Sequence, residues 1–251
     1  MIKKYLIISL GLLCCVSCKD NMTLTRIEGE RIEINDSIQI NSEVEEYIKP
    51  YREHVNKNLD SVLCYAVDTY TKKDGELNTA IGNLMADAVL LESNKVFNTR
   101  TGKNIDMVLL NHGGIRSILS KGNVTTRTAF KMMPFENSIV VCEMKGTLVK
   151  DIITYLQAAN RAHPISGMQL TLNSNYEVVD VTIQGEPIKD EKIYYVATND
   201  YLYGGGDRMN FFKESTKVHY LDYKIRNILI DYFEAKDTLK PTKDNRFIKL
   251  N

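Results

Sequence analysis

The hydrophobic and polar residues of this chain recur with two spacings, one typical of strands and one typical of helices. Short apolar runs bounded by polar turns predict strands at residues 62–67, 105–110, 138–144, 168–172, 178–183 and 193–198. Apolar residues three and four positions apart predict helices that begin near Ser42, Ile81, Thr125, Thr147 and Leu221. The two kinds of element do not alternate strictly, so we expect an α+β fold, a mixed α/β sandwich in a single domain.

The first eighteen residues have the pattern of an export signal. Lys3 and Lys4 precede an apolar run from Tyr5 to Val16, and Ser17 and Cys18 follow it. The run is too short to span a bilayer as a resident helix. Its end, Cys-Val-Ser-Cys, resembles a loose bacterial lipoprotein box, which implies cleavage before Cys18 and lipidation of the Cys18 thiol.

We therefore expect three segments in the chain. They are a lipoprotein signal peptide at residues 1–17, the lipidated cysteine with a tether at residues 18–41, and the domain at residues 42–251. Lys19 follows the cysteine where an Asp would retain a lipoprotein in the inner membrane. The expected location is the cell envelope of a Gram-negative bacterium, anchored by lipid in the outer membrane on its periplasmic or surface face. A soluble secreted protein cut nearby is the alternative.

The charge balance argues against a protein that coats nucleic acid. The chain has 32 Lys and Arg against 32 Asp and Glu, so there is no basic excess to displace counterions from a nucleic-acid polymer. Removal of residues 1–17 takes away two lysines and leaves a slightly acidic mature chain. Three of the five cysteines lie in the signal peptide or directly after it, and the apolar surroundings of the other two, Cys64 and Cys142, predict buried free thiols.

Glycine is concentrated in two places, each directly after a predicted buried strand. Gly113 and Gly114 form the first cluster, and residues 204–206 form the second. Glycine permits positive φ or the close approach of a ligand to the backbone, and ligands gather at the carboxyl ends of strands in mixed sheets. Arg116 and Asp207 add a charge to each cluster. Each cluster is equally consistent with a tight turn or with a ligand site.

Four ordered motifs of this sequence resemble those of the C-terminal domain of the 5′-nucleotidases. They are Ile-Gly-Asn-Leu-Met-Ala-Asp at 81–87, Asn-His-Gly-Gly-Ile-Arg at 111–116, Met-Pro-Phe-Glu-Asn at 133–137, and Asn-Asp-Tyr-Leu-Tyr-Gly-Gly-Gly-Asp at 199–207. The resemblance extends from about Val44 to the end of the chain. It implies a single domain with the fold of that family.

The resemblance also implies a site for the nucleoside part of a nucleotide. In the family, two aromatic rings enclose the base, an Asn reads the base, an Asp holds the ribose hydroxyls, and arginines meet the phosphate. The matching residues are Phe135 and Tyr201 for the rings, Asn137 for the base, Asp207 for the ribose, and Arg116 with Asn111 for the phosphate side.

Each of these residues has an ordinary structural alternative. Phe135 and Tyr201 are also typical of a hydrophobic core. Arg116 is also compatible with an exposed ion pair to Glu136, and Asp207 with the cap of a turn.

The sequence departs from the family pattern at two positions near the expected phosphate. The family usually has an Arg shortly before the motif that begins here at Ile81, whereas this stretch offers only Lys72 and Lys73. A lysine replaces an arginine imperfectly, because a point charge is not a planar fork. His112 occupies a position where Gly is usual, and it either faces solvent or contacts the ligand. Both changes are expected to alter the preference for ordinary monophosphates.

The enzymes of this family cleave the phosphoester with two divalent metals held by a separate N-terminal metallophosphatase domain. Its hallmarks, Asp-x-His, Gly-Asn-His-[Asp/Glu] and Gly-His-x-His, do not occur in these 251 residues, and the short tether is expected to leave no room for such a domain. We expect no catalytic residue, no metal ligand and no cofactor in this chain.

Two functions are compatible with these expectations. The first is the nucleotide-recognition domain of a 5′-nucleotidase-type hydrolase in nucleotide catabolism, with the two metals in a separately encoded metallophosphatase partner. The alternative is a stand-alone nucleotide- or nucleoside-binding lipoprotein without a catalytic role. A self-sufficient hydrolase is the third and weakest hypothesis, because no nucleophile motif supports it.

Overall fold

The structure, a computed structural model, describes residues 24–250. The signal peptide predicted at residues 1–17 and Cys18 lie outside this range. The chain divides into two units, one ending at Ile48 and one beginning at Lys49. In the first unit, residues 24–41 are exposed and form neither helix nor strand. No helix within the described residues combines the length and apolarity needed to cross a membrane.

The described residues form six α-helices and twelve strands, which confirms the predicted mixed α/β fold. The helices are α1 (Ser42–Leu59), α2 (Ala80–Thr101), α3 (Thr126–Met132), α4 (Gly146–Ala159), α5 (Asp200–Tyr203) and α6 (Ile225–Glu234). The strands are β1 (Val62–Ala66), β2 (Met107–Leu109), β3 (Gly122–Thr125), β4 (Ser138–Lys145), β5 (Ile165–Ser166), β6 (Met168–Leu172), β7 (Val178–Ile183), β8 (Glu186–Pro187), β9 (Ile193–Asn199), β10 (Lys217–Lys224), β11 (Thr238–Leu239) and β12 (Phe247–Lys249).

A five-stranded sheet in the order β10-β4-β9-β2-β5 lies at the centre of the second unit. Two smaller sheets have the orders β11-β1-β3 and β12-β6-β7-β8. Within the central sheet β2 and β9 are parallel, so their carboxyl ends lie at the same edge. β4 runs antiparallel to β9 and pairs Ile139 with Asn199, so its amino end lies at that edge too. The loops that follow β2 and β9 and the loop that precedes β4 therefore meet.

Both faces of the central sheet are buried. Along β4, Ile139 and Val141 belong to one hydrophobic core, whereas Val140 and Cys142 belong to the other. A strand with two buried faces has a continuous apolar sequence, which is why these strands are recognisable as unbroken runs. Cys64 and Cys142 are buried free thiols, as predicted. Burial raises the pKa of Cys142 to about 12, so its reactive thiolate is scarce at neutral pH.

The structure corrects two of the predicted helix starts. The helix predicted to begin near Leu221 begins at Ile225, because the residues before it pair with β4 as strand β10. The helix predicted to be capped by Thr147 begins two residues earlier than that cap implies, at Gly146 with Lys145 at the cap position. Gly146 is required there, since a Cβ atom would lie 2.1 Å from the backbone oxygen of Lys189.

Arg246, just before β12, connects the C-terminal segment to helix α2. Its Nη1 and Nη2 atoms donate to the two carboxylate oxygens of Asp87 at 2.7 and 3.0 Å, and its Nε donates to Asp244.

We expect Arg246→Lys to lower the free energy of unfolding by about 1–2 kcal/mol, because the ammonium group of lysine cannot donate in parallel to both carboxylate oxygens as the guanidinium does. Arg100→Lys is the control. The guanidinium of Arg100 makes one exposed hydrogen bond, to the Tyr220 carbonyl, so the free energy of unfolding should change little in this variant. Urea unfolding measures both, and equal effects would contradict the prediction.

Candidate functional site

A cleft of about 570 Å³ lies at the edge of the central sheet where the three loops meet. It is lined by the glycine-containing loop after β2, by the segment before β4, and by α5 and the turn that follow β9. The six residues predicted from the sequence all line this cleft: Asn111, Arg116, Phe135, Asn137, Tyr201 and Asp207. The topology thus brings together side chains that are far apart in the sequence.

Asp207 connects two of the loops through its carboxylate. The Nδ2 atom of buried Asn111 donates to Oδ2 of Asp207 at 2.8 Å, and the hydroxyl of Tyr201 donates to Oδ1 at 3.2 Å. A carboxylate oxygen has the capacity to accept two hydrogen bonds, so each oxygen of Asp207 is able to accept a further one from a ligand in the cleft. A carboxylate held in this way is suited to bind two neighbouring hydroxyl groups.

The backbone around Asp207 is in an uncommon conformation. Asp207 and Arg208 both lie in the left-handed region, with φ of 51° and 64°, and Gly205 has φ of 91°. Gly206 lets the loop lie against the ring of Tyr201, because a Cβ atom would come within 2.4 Å of the ring atom Cε1. Two consecutive non-glycine residues with positive φ are rare and concentrate at functional sites.

Two aromatic rings are left partly exposed in the cleft. Phe135 is 42% exposed and Tyr201 is 48% exposed, so neither belongs to the hydrophobic core. The alternative that placed them in the core is therefore wrong. The guanidinium of Arg116 lies 5.7 Å from the centroid of the Phe135 ring. The cation is attracted to the π electrons of the ring, and the exposed part of the ring is open to a flat ligand.

Arg116 does not pair with Glu136, which was the structural alternative for its role. Glu136 instead accepts hydrogen bonds from Lys224 and Arg226, and these cations hold its pKa at about 2. Among residues 24–250, Arg116 has no acidic side chain within ion-pair distance, and its Nη1 only approaches the carbonyl of Gly113 at 3.5 Å. The positive charge of Arg116 is therefore available to an anion in the cleft.

Asn137 is positioned by Asp200, a residue that the sequence analysis missed. The Nδ2 atom of Asn137 donates to Oδ1 of Asp200 at 3.0 Å, and Asp200 also accepts from the backbone N–H groups of Ser138 and Tyr201. This arrangement directs the amide of Asn137 so that its oxygen has no hydrogen-bond donor among the described residues. The sequence offered one indication of a role for Asp200: it lies directly after β9, inside the motif at residues 199–207.

The two departures from the family pattern have defined positions. Lys72 donates from Nζ to the backbone oxygen of Ile115 at 2.9 Å, so it lies beside the loop that carries Arg116. Burial, followed by the charges of Arg116 and Arg161, lowers the pKa of Lys72. His112 is partly buried and hydrogen-bonds through Nδ1 to the carbonyl of Ala162 at 3.0 Å. It does not line the cleft, so neither of its two expected roles, solvent-facing or ligand-contacting, describes it fully.

His163 supports the same loop from the protein interior. Its Nδ1 atom accepts from the backbone N–H of His112 at 3.4 Å, and its ring meets that of Tyr155 edge-on at 5.5 Å. Burial lowers the pKa of His163 to about 4, because an imidazolium would lose its hydration there. At neutral pH this side chain is uncharged.

The described residues do not fit a two-metal centre. Within residues 24–250, no group of three or more His, Cys, Asp or Glu side chains is arranged to hold a metal ion. The side chains of the cleft are suited to bind a ligand by stacking, hydrogen bonding and charge.

Comparisons with known proteins identify relatives for most of this chain. The model of the family described as 5′-nucleotidase, C-terminal domain matches residues 57–214. The chain is 32% identical over 157 residues to the cell wall protein Lmo0130 of Listeria monocytogenes, covering 57% of this chain and 19% of that protein. It is 32% identical over 123 residues to the NAD 5′-nucleotidase of Haemophilus influenzae, covering 42% and 20%. The chain thus spans about a fifth of each of these relatives.

A solved structure supports the fold. The 5′-nucleotidase precursor of Thermus thermophilus superposes with a TM-score of 0.68 at 22% identity. The superposition covers 84% of this chain and 43% of that chain. At this identity the likeness concerns the fold, and it agrees with the mixed α/β architecture described above.

The neutral state of His163 makes stability depend on pH. In the unfolded chain an imidazole has its ordinary pKa of about 6.5, so below that pH the unfolded chain binds a proton that the folded chain rejects until about pH 4. Protonation of His163 in the unfolded chain therefore does not affect the free energy of unfolding above pH 6.5. It lowers this free energy progressively as the pH falls from 6.5 toward 4. We expect this residue alone to lower the free energy of unfolding by about 2 kcal/mol between pH 7 and pH 4.5. Urea unfolding of the wild type and His163→Gln tests this, and parallel pH curves would refute it.

Proposed function

Because this chain belongs to the 5′-nucleotidase C-terminal domain family, we propose that it is the nucleotide-recognition domain of a 5′-nucleotidase-type hydrolase in nucleotide catabolism. The observation that carries the proposal is the content of the cleft. Two partly exposed rings, a positioned carboxylate and a guanidinium without an acidic partner among the described residues face one space of about 570 Å³. These are the groups that a base, a ribose and a phosphate require.

In the proposed complex the base stacks on the aromatic rings. Phe135 and Tyr201 are exposed on an otherwise rigid edge, so a base that covers them removes apolar surface from water at little ordering cost. Stacking on one ring contributes about 1–3 kcal/mol per base. The amide oxygen of Asn137 accepts from an amino or imino group of the base.

The polar groups of the ligand face the two loops joined by Asp207. The vicinal ribose hydroxyls donate to the carboxylate of Asp207, whose orientation is fixed by Asn111 and Tyr201. Arg116 provides a charged pair of donors to phosphate oxygens. Lys72 lies beside this loop and adds positive potential where the family has a second arginine.

In this proposal, hydrolysis takes place on a separately encoded metallophosphatase that supplies the two divalent metals. One observation supports this division: the family model that matches residues 57–214 is that of the C-terminal domain. The alternative function is a stand-alone nucleotide-binding lipoprotein. Its support is that this one chain supplies all six residues predicted to bind the nucleotide.

We place the protein in the cell envelope, attached through a lipid on Cys18. The support is the export pattern at residues 1–18 together with the relative named as a cell wall protein. Mass spectrometry of the mature protein from the membrane fraction tests it, since diacylglycerol on Cys18 adds a defined mass and Cys18→Ala should release the protein.

Truncation of a stacking ring should weaken nucleoside binding. We expect Phe135→Ala to raise the dissociation constants of adenosine and AMP by about tenfold or more, because the base loses one stacking surface. Phe130→Ala is the matched control, since Phe130 is 38% exposed but packs under Arg226 outside the cleft. Isothermal titration calorimetry measures both variants. Absence of adenosine binding to the wild type, or equal losses in both variants, would contradict the proposed site.

The two functions predict different effects on phosphate release. We expect the purified protein to release no phosphate from AMP with Mg²⁺, Mn²⁺ or Zn²⁺, because residues 24–250 offer no group of three or more His, Cys, Asp or Glu side chains arranged to bind a metal ion. Deletion of the gene should lower the nucleotidase activity of the envelope fraction, and the wild type but not Asp207→Ala should restore it. Unchanged activity in the deletion strain would favour the stand-alone binding function. Release by the purified chain that survives repurification and Asp207→Ala would contradict both.

A further inference from the structure

A second cleft adjoins the first one on the other side of Asp207. It has a volume of about 490 Å³ and shares Gly113 and Asp207 with the first cleft. The end of helix α4 and the segment after it provide its far wall, including Tyr155 and Arg161. Arg208 completes the side next to Asp207. The proposed nucleoside site uses none of the residues that belong to the second cleft alone.

The second cleft has an excess of positive charge. Arg161 and Arg208 line it, and within residues 24–250 neither guanidinium has a carboxylate within ion-pair distance or a hydrogen-bond acceptor. The carboxylate of Asp207 is the one acidic group in the lining, and it already accepts from Asn111 and Tyr201. His163 is neutral because burial lowers its pKa, so the two arginines provide the charge.

The backbone fixes the position of Arg208 next to Asp207. Both residues have positive φ, which is costly for two consecutive non-glycine residues unless the surrounding structure holds them. The hydroxyl of Tyr155 donates to the backbone oxygen of Asp207 at 3.0 Å and provides part of that hold. As a result, Asp207 lines both clefts and Arg208 lines the second. This uncommon backbone therefore places an arginine beside the residue that lines both clefts.

From this geometry we infer that the second cleft binds a phosphate on the 2′ or 3′ oxygen of the nucleoside held in the first cleft. The inference rests on the proposed function, because it uses Asp207 as the acceptor of a ribose hydroxyl. The ribose oxygens then lie at the boundary between the two clefts. One hydroxyl donates to Asp207, and a phosphate on the neighbouring oxygen enters the second cleft, where Arg161 and Arg208 bind it through charge-assisted hydrogen bonds. The ligand class is a nucleotide with a second phosphate on its ribose.

Titration calorimetry at low ionic strength with four probes tests this subsite. The probes are adenosine, AMP, ADP and adenosine 3′,5′-bisphosphate. We expect the wild type to bind the bisphosphate about tenfold or more tighter than AMP, because the second phosphate gains charged hydrogen bonds. The double variant Arg161→Gln/Arg208→Gln should lose this gain and bind adenosine like the wild type. Arg31→Gln/Arg100→Gln removes the same charge outside both clefts and should keep the gain.

The outcomes separate this inference from the proposed function. Adenosine binding without a gain from the bisphosphate would overturn the inference and leave the nucleoside site intact. A gain of the same size for ADP would place the second phosphate on the 5′ side and would also overturn it. Equal loss of the gain in the two double variants would reduce it to general electrostatics and contradict the subsite. If adenosine does not bind at all, the proposed function and the inference both fail.

Discussion

The site depends on the hydrogen bonds that the carboxylate of Asp207 accepts from Asn111 and Tyr201. Asn111 and Asp207 are 96 residues apart in the sequence, and they meet because β2 and β9 are parallel neighbours. Parallel strands end at one edge of a sheet, so each loop emerges beside the other. The carboxylate converts this topological proximity into a fixed distance between the loops.

Small residues let each of these loops fold tightly against its own side chains. A Cβ atom on Gly114 would lie 2.9 Å from the side-chain oxygen of Asn111, and one on Gly206 would overlap the ring of Tyr201. The positive φ of Asp207 and Arg208 adds conformational cost at the same point. Burial of the central sheet between two hydrophobic cores offsets this cost. Recognition residues on a rigid edge lose little entropy when a ligand binds.

Sequence patterns predicted the parts of the fold in which local spacing decides the structure. Strands β4 and β9 are buried on both faces and therefore appear as continuous apolar runs. Edge strand β10 carries charged residues and is not recognisable as an apolar run, so its last residues, from Leu221, are predicted as the start of the helix that follows. The motifs predicted which six residues share a cleft, whereas their individual roles remain predictions. Arg161 and Arg208 were missed, because their proximity arises from the packing of α4 against the turn after α5, and no local spacing encodes it.

The proposed division of recognition and hydrolysis between two chains depends on the arrangement of the cleft. In the proposed complex, Phe135, Tyr201 and Asp207 hold the nucleoside part, which does not react, and Arg116 is exposed on the side proposed for the phosphate. Binding energy from a non-reacting part of a substrate accelerates a reaction only when it positions the reacting bond. A recognition chain therefore contributes to hydrolysis only if its partner approaches the side of the cleft that carries Arg116. Groups beyond Asp207, on the opposite side of the ribose, can select among ligands without obstructing that approach.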